Sequence, residues 1–320
     1  DIEKLLRWVL IGFSVPILAT AFMILTGKGL GVTIYWTGVE RYKGIYQNIH
    51  NMGHSMVMYL FFLAIYLSIA KLWKLRLSKI FKIFLLFVAF VALFCLYKSV
   101  VRTAFVGIAA FVGIWFLYRR KKVLAGGLVL LILASPLYMA KIQTMFFDVF
   151  ASLEESGDVA NLGSGRLGIW AHNVAVINDA GPTYWLTGVG LGSSTIRWQD
   201  RDMSRAGSTK SRTGNSHNDY LDLVVNTGLV GLGIYLIITA FFIQKARRLP
   251  GEIGYIFLGI LAAVVCSNIL SNSYIDRFGL AQLFMMSMGC MYGISRVLRQ
   301  AALQAKIAST NALSRSGPRL

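Results

Sequence analysis

The stretch 215–236, NSHNDYLDLVVNTGLVGLGIYL, places ionisable residues at the head of an apolar helix. Ser216 stands three residues before Asp219, which is the spacing of a capping box, so Ser216 is predicted to be the N-cap and His217 the first helical residue. The helix dipole disfavours an imidazolium at that position and leaves a neutral ring that can accept a proton. His217 is therefore a candidate general base. The alternative is an ordinary histidine at a membrane interface, with Asp219 as a capping residue.

Two glycines follow in the same helix, Gly228 and Gly231. At about 100° per residue, Gly228 falls about 20° from the stripe that begins at His217, and Gly231 falls about 40° from it on the other side. Small residues on that stripe would let another helix approach closely beneath the histidine. The alternative is that both are ordinary packing glycines of a membrane helix.

Two arginines occur at positions where a cation is unfavourable unless a binding partner stabilises it. Arg102 lies in the short turn KSVVRT between two apolar runs, where it either snorkels to the interface or binds an anion. Lys98, four residues earlier, would share a helix face with it. Arg166 lies just inside the start of a predicted amphipathic helix, SGRLGIWAHNVAVIND, whose free backbone amides favour an anion. The alternative for Arg166 is a solvated surface side chain, and His172 in the same helix is interpreted as structural.

Other motifs are weaker. Loop 27–51 contains Arg41 beside aromatic residues, which suit the membrane interface or stacking on a sugar. His50 and His54 have the spacing of a metal-binding pair, but the sequence suggests no third ligand. The stretch GVGLGSS is similar to a dinucleotide-binding loop, but it does not open a βαβ unit. The two aspartates of the D-x-D motif at 200–202 have neighbouring arginines that neutralise their charge. We therefore predict neither a bound metal nor a cofactor.

The composition indicates that membrane helices position these residues. Of the 320 residues, 56% are hydrophobic and 14% charged, whereas a soluble domain has about 25% charged residues. The net charge is +18, but Lys and Arg cluster beside apolar runs at 71–79, 119–122, 245–248 and 296–300, as the positive-inside rule describes. This distribution argues against nucleic acid as a partner and favours membrane lipids. All three cysteines lie in apolar runs, which argues against a disulfide framework.

The sequence predicts an all-α polytopic membrane protein with one large loop. Eight apolar runs approach the roughly 20 helical residues that cross a bilayer core. We divide the chain into residues 1–140 with about five membrane helices, a loop at 141–220, residues 221–300 with about three more helices, and a cytoplasmic tail at 301–320. The predicted spans are 5–26, 52–70, 80–97, 103–118, 123–140, 221–243, 253–271 and 278–295.

The basic clusters give these spans an orientation. If 71–79 is cytoplasmic, strict alternation places the other strong basic clusters there too. Loop 141–220 then lies outside with His217, Arg102 and Arg166. A base and two phosphate-binding arginines suggest that a hydroxyl is deprotonated while a phosphate-linked group departs. Because no ATP is expected outside, the substrate must already carry the energy, as a glycan on a lipid pyrophosphate does.

Several of these motifs together resemble the O-antigen ligase family, within a superfamily that includes the O-antigen polymerases. His217 and Asn218 begin the string HNDYLDLVVNTGLVG at the head of a membrane helix, after a large outer loop. SVVRTAFVG, with Arg102, resembles the family's arginine motif at an earlier turn, and SGRLGIW, with Arg166, resembles its second one. ERYKGIYQNIHNMG, with Arg41, and TGVGLGSS resemble weaker family patterns.

The resemblance implies a GT-C-like, inverting and metal-independent glycosyltransferase of the bacterial inner membrane, with its active site facing the periplasm. It would move a glycan from undecaprenyl pyrophosphate to lipid A–core during lipopolysaccharide biosynthesis. His217 would activate the acceptor hydroxyl, and Arg102 and Arg166 would hold the pyrophosphate. Asn218 and Arg41 are further candidate substrate-binding residues. The family usually has more than eight spans, so we expect either missing N-terminal helices or a short variant.

Three alternatives stay open. An O-antigen polymerase, whose acceptor is another lipid-linked glycan, and a protein O-oligosaccharyltransferase share this chemistry. A lipid-linked glycan transporter is the alternative outside the enzymes, but transporters typically have internal repeats and polar sites near the membrane midplane. No repeat is visible here. Asn268 and Asn272 are the most transporter-like residues, and both could instead form hydrogen bonds between helices.

Overall fold

A computed structural model describes residues 2–28, 31–33, 40–118, 162–190, 217–271 and 278–315, and the structural statements below concern these parts of the chain. They are mostly helical, with one small sheet. The helices before the first gap of more than ten residues are α1 (Ile2–Leu25), α2 (Ile49–Leu72), α3 (Lys79–Ser99) and α4 (Arg102–Tyr118). The later helices are α5 (Leu162–Ala180), α6 (Pro182–Thr187), α7 (Asp219–Arg247), α8 (Gly251–Leu270) and α9 (Phe278–Arg315).

Five described helices are long and apolar enough to cross a membrane: α1, α2, α3, α7 and α8. Helix α4 is also apolar but has only 17 residues. The chain is therefore a multi-pass membrane protein. Each of these six helices matches a predicted span, whereas the predicted span 123–140 lies outside the described residues. The eighth predicted span, 278–295, corresponds to the first half of α9, and α9 is not among the five helices that are long and apolar enough to cross a membrane.

Helix α9 extends from the eighth predicted span into the predicted tail. It continues to Arg315, so residues 301–315 prolong the helix. The physical reason is local, because this stretch is rich in Ala, the strongest helix former, and contains neither Gly nor Pro before Gly317. Residues 301–310 are exposed on all sides.

A two-stranded antiparallel sheet qualifies the all-α prediction. Its strands, β1 (Gly31–Thr33) and β2 (Glu40–Tyr42), pair with Val32 opposite Arg41. β-branched and aromatic residues in both strands favour an extended backbone. The hairpin brings Arg41 from the loop between α1 and α2 to the end of α3, as described below.

One end of the bundle, which we call the basic end, joins the end of α2, the end of α4 and the start of α8. Lys71 Nζ lies 3.1 Å from Glu252 Oε2, and Trp115 Nε1 donates to Glu252 Oε1 at 3.0 Å. These residues adjoin the basic clusters of the sequence, and their contact agrees with the alternation that places those clusters on one side. The heads of α4 and α7 lie toward the opposite end.

Helices α4 and α8 pack along their whole length, and a glycine of each helix lets the other helix approach closely. A Cβ at Gly259 of α8 would lie 2.8 Å from the ring of Phe111. Near the opposite end, a Cβ at Gly107 would lie 3.0 Å from Ser267 Oγ. This close approach lets Ser267 Oγ donate to the backbone oxygen of Thr103 at 3.2 Å. The head of α4 is thereby fixed to the end of α8.

Candidate functional site

The turn between α3 and α4, residues 99–103, is here called the arginine turn. Helix α3 ends at Ser99, Val100 has φ +52°, and Arg102 begins α4. A β-branched residue in the left-handed region is rare and costs about 1–3 kcal/mol, so its surroundings must hold it there. This geometry makes one prediction wrong: Lys98 and Arg102 do not share a helix face, because they belong to different helices.

Arg41 anchors the arginine turn. Its Nε donates to the carbonyl oxygen of Ser99 at 3.1 Å, and its Nη2 donates to that of Val100 at 3.0 Å. Within the turn, the amide of Val101 donates to Ser99 Oγ at 3.3 Å. The planar guanidinium suits this task because its donors are fixed in one plane. Arg41 was predicted to bind substrate, and the described contacts show that two of its nitrogens hold backbone carbonyls.

Helix α2 closes the other side of the turn. A Cβ at Gly53 would lie 2.8 Å from the Cβ of Val101, so only a small residue fits there. His54 is fully buried, and its Nε2 lies 3.1 Å from Thr103 Oγ1. Thr103 therefore engages one of the two ring nitrogens of His54. Among the described residues, no group of three or more His, Cys, Asp and Glu side chains could hold a metal ion.

The arginine turn concentrates positive charge. Burial and the positive charge of Arg102 lower the pKa of Arg41 to about 10. Arg41 is therefore still cationic at neutral pH, and the two guanidinium groups repel each other. The dipole of α4 also disfavours a cation at its first residue, Arg102. An anion placed between these groups would relieve both effects.

The head of α7 differs from its prediction. The N-cap is Asn218, whose Oδ1 accepts hydrogen bonds from the amides of Tyr220 at 3.0 Å and Leu221 at 3.1 Å. The prediction of Ser216 as N-cap and His217 as first helical residue is therefore wrong. Asn is at least as good a cap as Ser, and here its side chain reaches two free amides. His217 precedes the helix with φ +52°, and Ser216 lies outside the described residues.

Helix α7 is broken at Gly228, which has φ +69° and ψ −172°. The rings of Tyr220 and Tyr235 have centroids 5.8 Å apart. In a straight helix these residues would be about 22 Å apart along the axis, which is too far for two side chains to bridge. The segment 219–227 therefore folds back along the rest of α7. The predicted stripe of His217, Gly228 and Gly231 is wrong, because it requires an unbroken helix.

The fold-back brings the head of α7 to α8. Tyr220 Oη donates to the carbonyl oxygen of Val265 at 3.1 Å. Asn268 Nδ2 donates to Tyr235 Oη at 3.1 Å, which agrees with the helix–helix alternative for Asn268. Because Ser267 of the same short stretch holds the head of α4, one end of α8 carries both the segment after His217 and the arginine turn.

Helix α5, whose backbone includes Arg166, packs against this assembly through its later part. The predicted helix at 164–179 is confirmed, since α5 covers Leu162–Ala180. Its Ile177 is fully buried against Val224 and Val225 of the folded-back segment. The side chains of Arg166 and His172 lie outside the described part, and so do the D-x-D pair and Asn272.

Sequence reasoning missed the polar residues that connect the helices. Tyr220, Ser267 and Thr103 join four helices, α2, α4, α7 and α8, through hydrogen bonds to backbone oxygens or side chains. Each is a polar residue within or beside an apolar run, and such residues in membrane helices usually bond to a neighbouring helix. That pattern could have indicated them, but not their partners.

The comparisons with known proteins agree with the motifs. Residues 87–236 match the model of a protein family described as O-antigen ligase. This segment includes the arginine turn, α5, α6 and the head and break of α7. No curated protein matches the sequence significantly. The family indicates a glycosyltransferase-like enzyme of the O-antigen ligase and polymerase group. The match over residues 87–236 therefore supports membership of the O-antigen ligase family for this segment of the chain.

Proposed function

We propose that this protein transfers a glycan from undecaprenyl pyrophosphate to a sugar of lipid A–core, at the periplasmic face of the bacterial inner membrane. The observation that carries the proposal is the gathering of two motifs at one end of α8. Ser267 holds Thr103, beside Arg102, and Val265 accepts from Tyr220, which follows His217 by three residues. A base and an anion site are what this reaction requires.

In the proposed reaction, His217 accepts the proton of the acceptor hydroxyl. The oxygen then attacks the anomeric carbon of the glycan from the face opposite to the pyrophosphate. The bond between that carbon and the pyrophosphate oxygen breaks, and the lipid pyrophosphate leaves with the electron pair. This inverting displacement is of the GT-C-like kind and needs no metal, because arginines stabilise the charge on the leaving group.

The residues divide these tasks as follows. Arg102 binds the pyrophosphate, and Arg166 contributes a second guanidinium from α5. Arg41 fixes the turn that carries Arg102 and adds positive potential. Asn218 caps α7 and sets the backbone that presents His217. The positive φ of His217 is a strained geometry of the sort that occurs at functional sites.

His217→Asn is the sharpest test of the base. Asn tolerates the left-handed backbone of residue 217 better than Ala does, so the variant removes the imidazole with little strain. Loss of a general base lowers turnover by about 10²–10⁴-fold. The purified protein would be reconstituted with undecaprenyl-pyrophosphate glycan, lipid A–core and a chelator. Lys74→Asn is the matched control, since Lys74 also has positive φ, at +53°, but lies near the basic end.

The outcomes separate the alternatives. Unchanged turnover in His217→Asn would exclude the general-base role. Transfer by the wild type to a second lipid-linked glycan, but not to lipid A–core, would identify a polymerase. Transfer to a protein would identify an O-oligosaccharyltransferase. Movement of the intact donor across the membrane without transfer would favour a transporter.

A further inference from the structure

The break in α7 coincides with a close contact between two backbones. A Cβ at Gly228 would collide with the carbonyl group of Leu186 and lie 2.5 Å from the amide nitrogen of Thr187. Reciprocally, a Cβ at Gly188 would collide with the backbone around Asn226, whose carbonyl oxygen would be 2.6 Å away. Both glycines have positive φ, +69° and +73°. Each position therefore excludes a side chain for two independent reasons.

Two hydrogen bonds close this contact. The amide of Val189 donates to the carbonyl oxygen of Val225 at 2.8 Å, and that of Gly190 donates to Asn226 at 3.2 Å. In an unbroken helix, those carbonyls would accept from the amides four residues later. The break at Gly228 removes these partners, and a buried carbonyl without a partner is costly. The chain after α6 supplies the missing donors.

Apolar packing extends the contact to α5. Ile177, Val224 and Val225 form a small buried cluster, and Trp185 and Leu232 pack against it. Trp185 also donates from Nε1 to Asn178 Oδ1 at 3.0 Å, which ties α6 to α5. The folded-back segment is thus held by the outer-loop helices as well as by α8.

We propose that Gly188 and Gly228 form a latch that holds the segment 219–227 folded back, and that both are positioning residues for His217. The latch couples the helix of Arg166 to the head of α7. The effect of the latch on catalysis rests on the proposed glycosyl transfer. Its effect on the position of the segment 219–227 does not. Without the latch, the head of α7 moves away from α8 and the base leaves the arginine turn.

The variants are Gly188→Ala and Gly228→Ala, each of which adds one methyl group at the contact. Two glycines of the same region provide matched controls. Gly233→Ala lies in the same helix, and its Cβ would meet nothing within 4 Å. Gly181→Ala also meets nothing within 4 Å but has φ +109°, so it introduces backbone strain without a collision.

Two readouts need no substrate. Hydrogen exchange at the amides of Val189 and Gly190 should become at least about tenfold faster in both latch variants, because their acceptors are lost. The second readout is labelling of Cys266, which adjoins Val265, the acceptor of the Tyr220 hydrogen bond. Of the three cysteines, Cys266 is half-buried, whereas Cys95 and Cys290 are buried. Labelling of Cys266 by a small maleimide should also become at least about tenfold faster in the latch variants, because the segment 219–227 moves away from it.

The third readout is glycan transfer, where we expect a large fall in kcat with little change in KM for the donor. Unchanged exchange and labelling in both latch variants would overturn the latch. Faster exchange with unchanged labelling would show that the contact does not hold the segment, and would overturn its positioning role. Faster labelling with full activity would also overturn that role. If the wild type transfers no glycan, the proposed function fails, while exchange and labelling still decide whether the latch exists.

Discussion

Removing the guanidinium of Arg41 should increase the local opening of the arginine turn. Arg41 donates two hydrogen bonds, at 3.1 and 3.0 Å, to the carbonyls of Ser99 and Val100. A hydrogen bond to a charged group contributes about 1.5–3 kcal/mol, and partial exposure reduces it, so we expect about 2 kcal/mol for the pair. At about 1.4 kcal/mol per factor of ten, this corresponds to a roughly thirtyfold increase in local opening.

Hydrogen exchange measures this opening directly. The reporters are the amides of Val101, which bonds to Ser99 Oγ, and Ala104, which bonds to the carbonyl of Val101 at 3.0 Å. Exchange of both should be about thirtyfold faster in Arg41→Ala. Arg41→Lys should fall between this variant and the wild type, because an ammonium group cannot match the planar pair of donors. Lys43→Ala removes the same charge from the same loop and should leave exchange unchanged.

Activity should follow the opening of the turn. If Arg41 acts by holding the turn, transfer falls in step with the exchange rates across the Lys and Ala variants. A result in which transfer falls while exchange at Val101 and Ala104 stays as in the wild type would refute this reasoning. It would mean that Arg41 contacts the substrate and that the two carbonyl contacts contribute little to the turn.

Two further predictions concern stability. Asn173 is fully buried, and within the described chain neither polar atom of its side-chain amide has a hydrogen-bond partner. Replacing Asn173 with Leu should therefore stabilise the protein by about 1–3 kcal/mol and raise its Tm in detergent. A lower Tm would contradict the absence of a partner for this amide. Gly259→Ala places a Cβ 2.8 Å from the Phe111 ring and should destabilise by about 1–3 kcal/mol, whereas Gly289→Ala, with nothing within 4 Å, should leave Tm unchanged.

Local pattern was sufficient for the helices and for the grouping of the site motifs. Apolar runs of bilayer length predict α1, α2, α3, α7 and α8, because burial in lipid is decided by side-chain composition over a single helix. The pattern of 164–179 predicts the helix α5 in the loop between membrane spans. Alternation of basic clusters predicts that His217 and Arg102 lie toward one end, and the hydrogen bonds of α8 agree.

The same local reasoning failed where two acceptable local choices compete. Ser216 and Asn218 are both good caps, and the structure selects Asn218, whose side chain reaches two amides. At the arginine turn, propensity alone would not place Val100 in the left-handed region. That conformation depends on Arg41 and on Gly53, which are separated from the turn by more than 40 residues.

The sequence by itself determined that this is a helical membrane protein, and it predicted which side chains act as base and anion site and that they share one end of the bundle. Only the tertiary structure decided how the segments that carry these residues are joined. The helix that follows His217 folds back because Gly228 admits the backbone of α6, and because the amides of Val189 and Gly190 replace the lost helical donors. Such a break depends on partners about forty residues away in the chain, so no periodicity within α7 could reveal it.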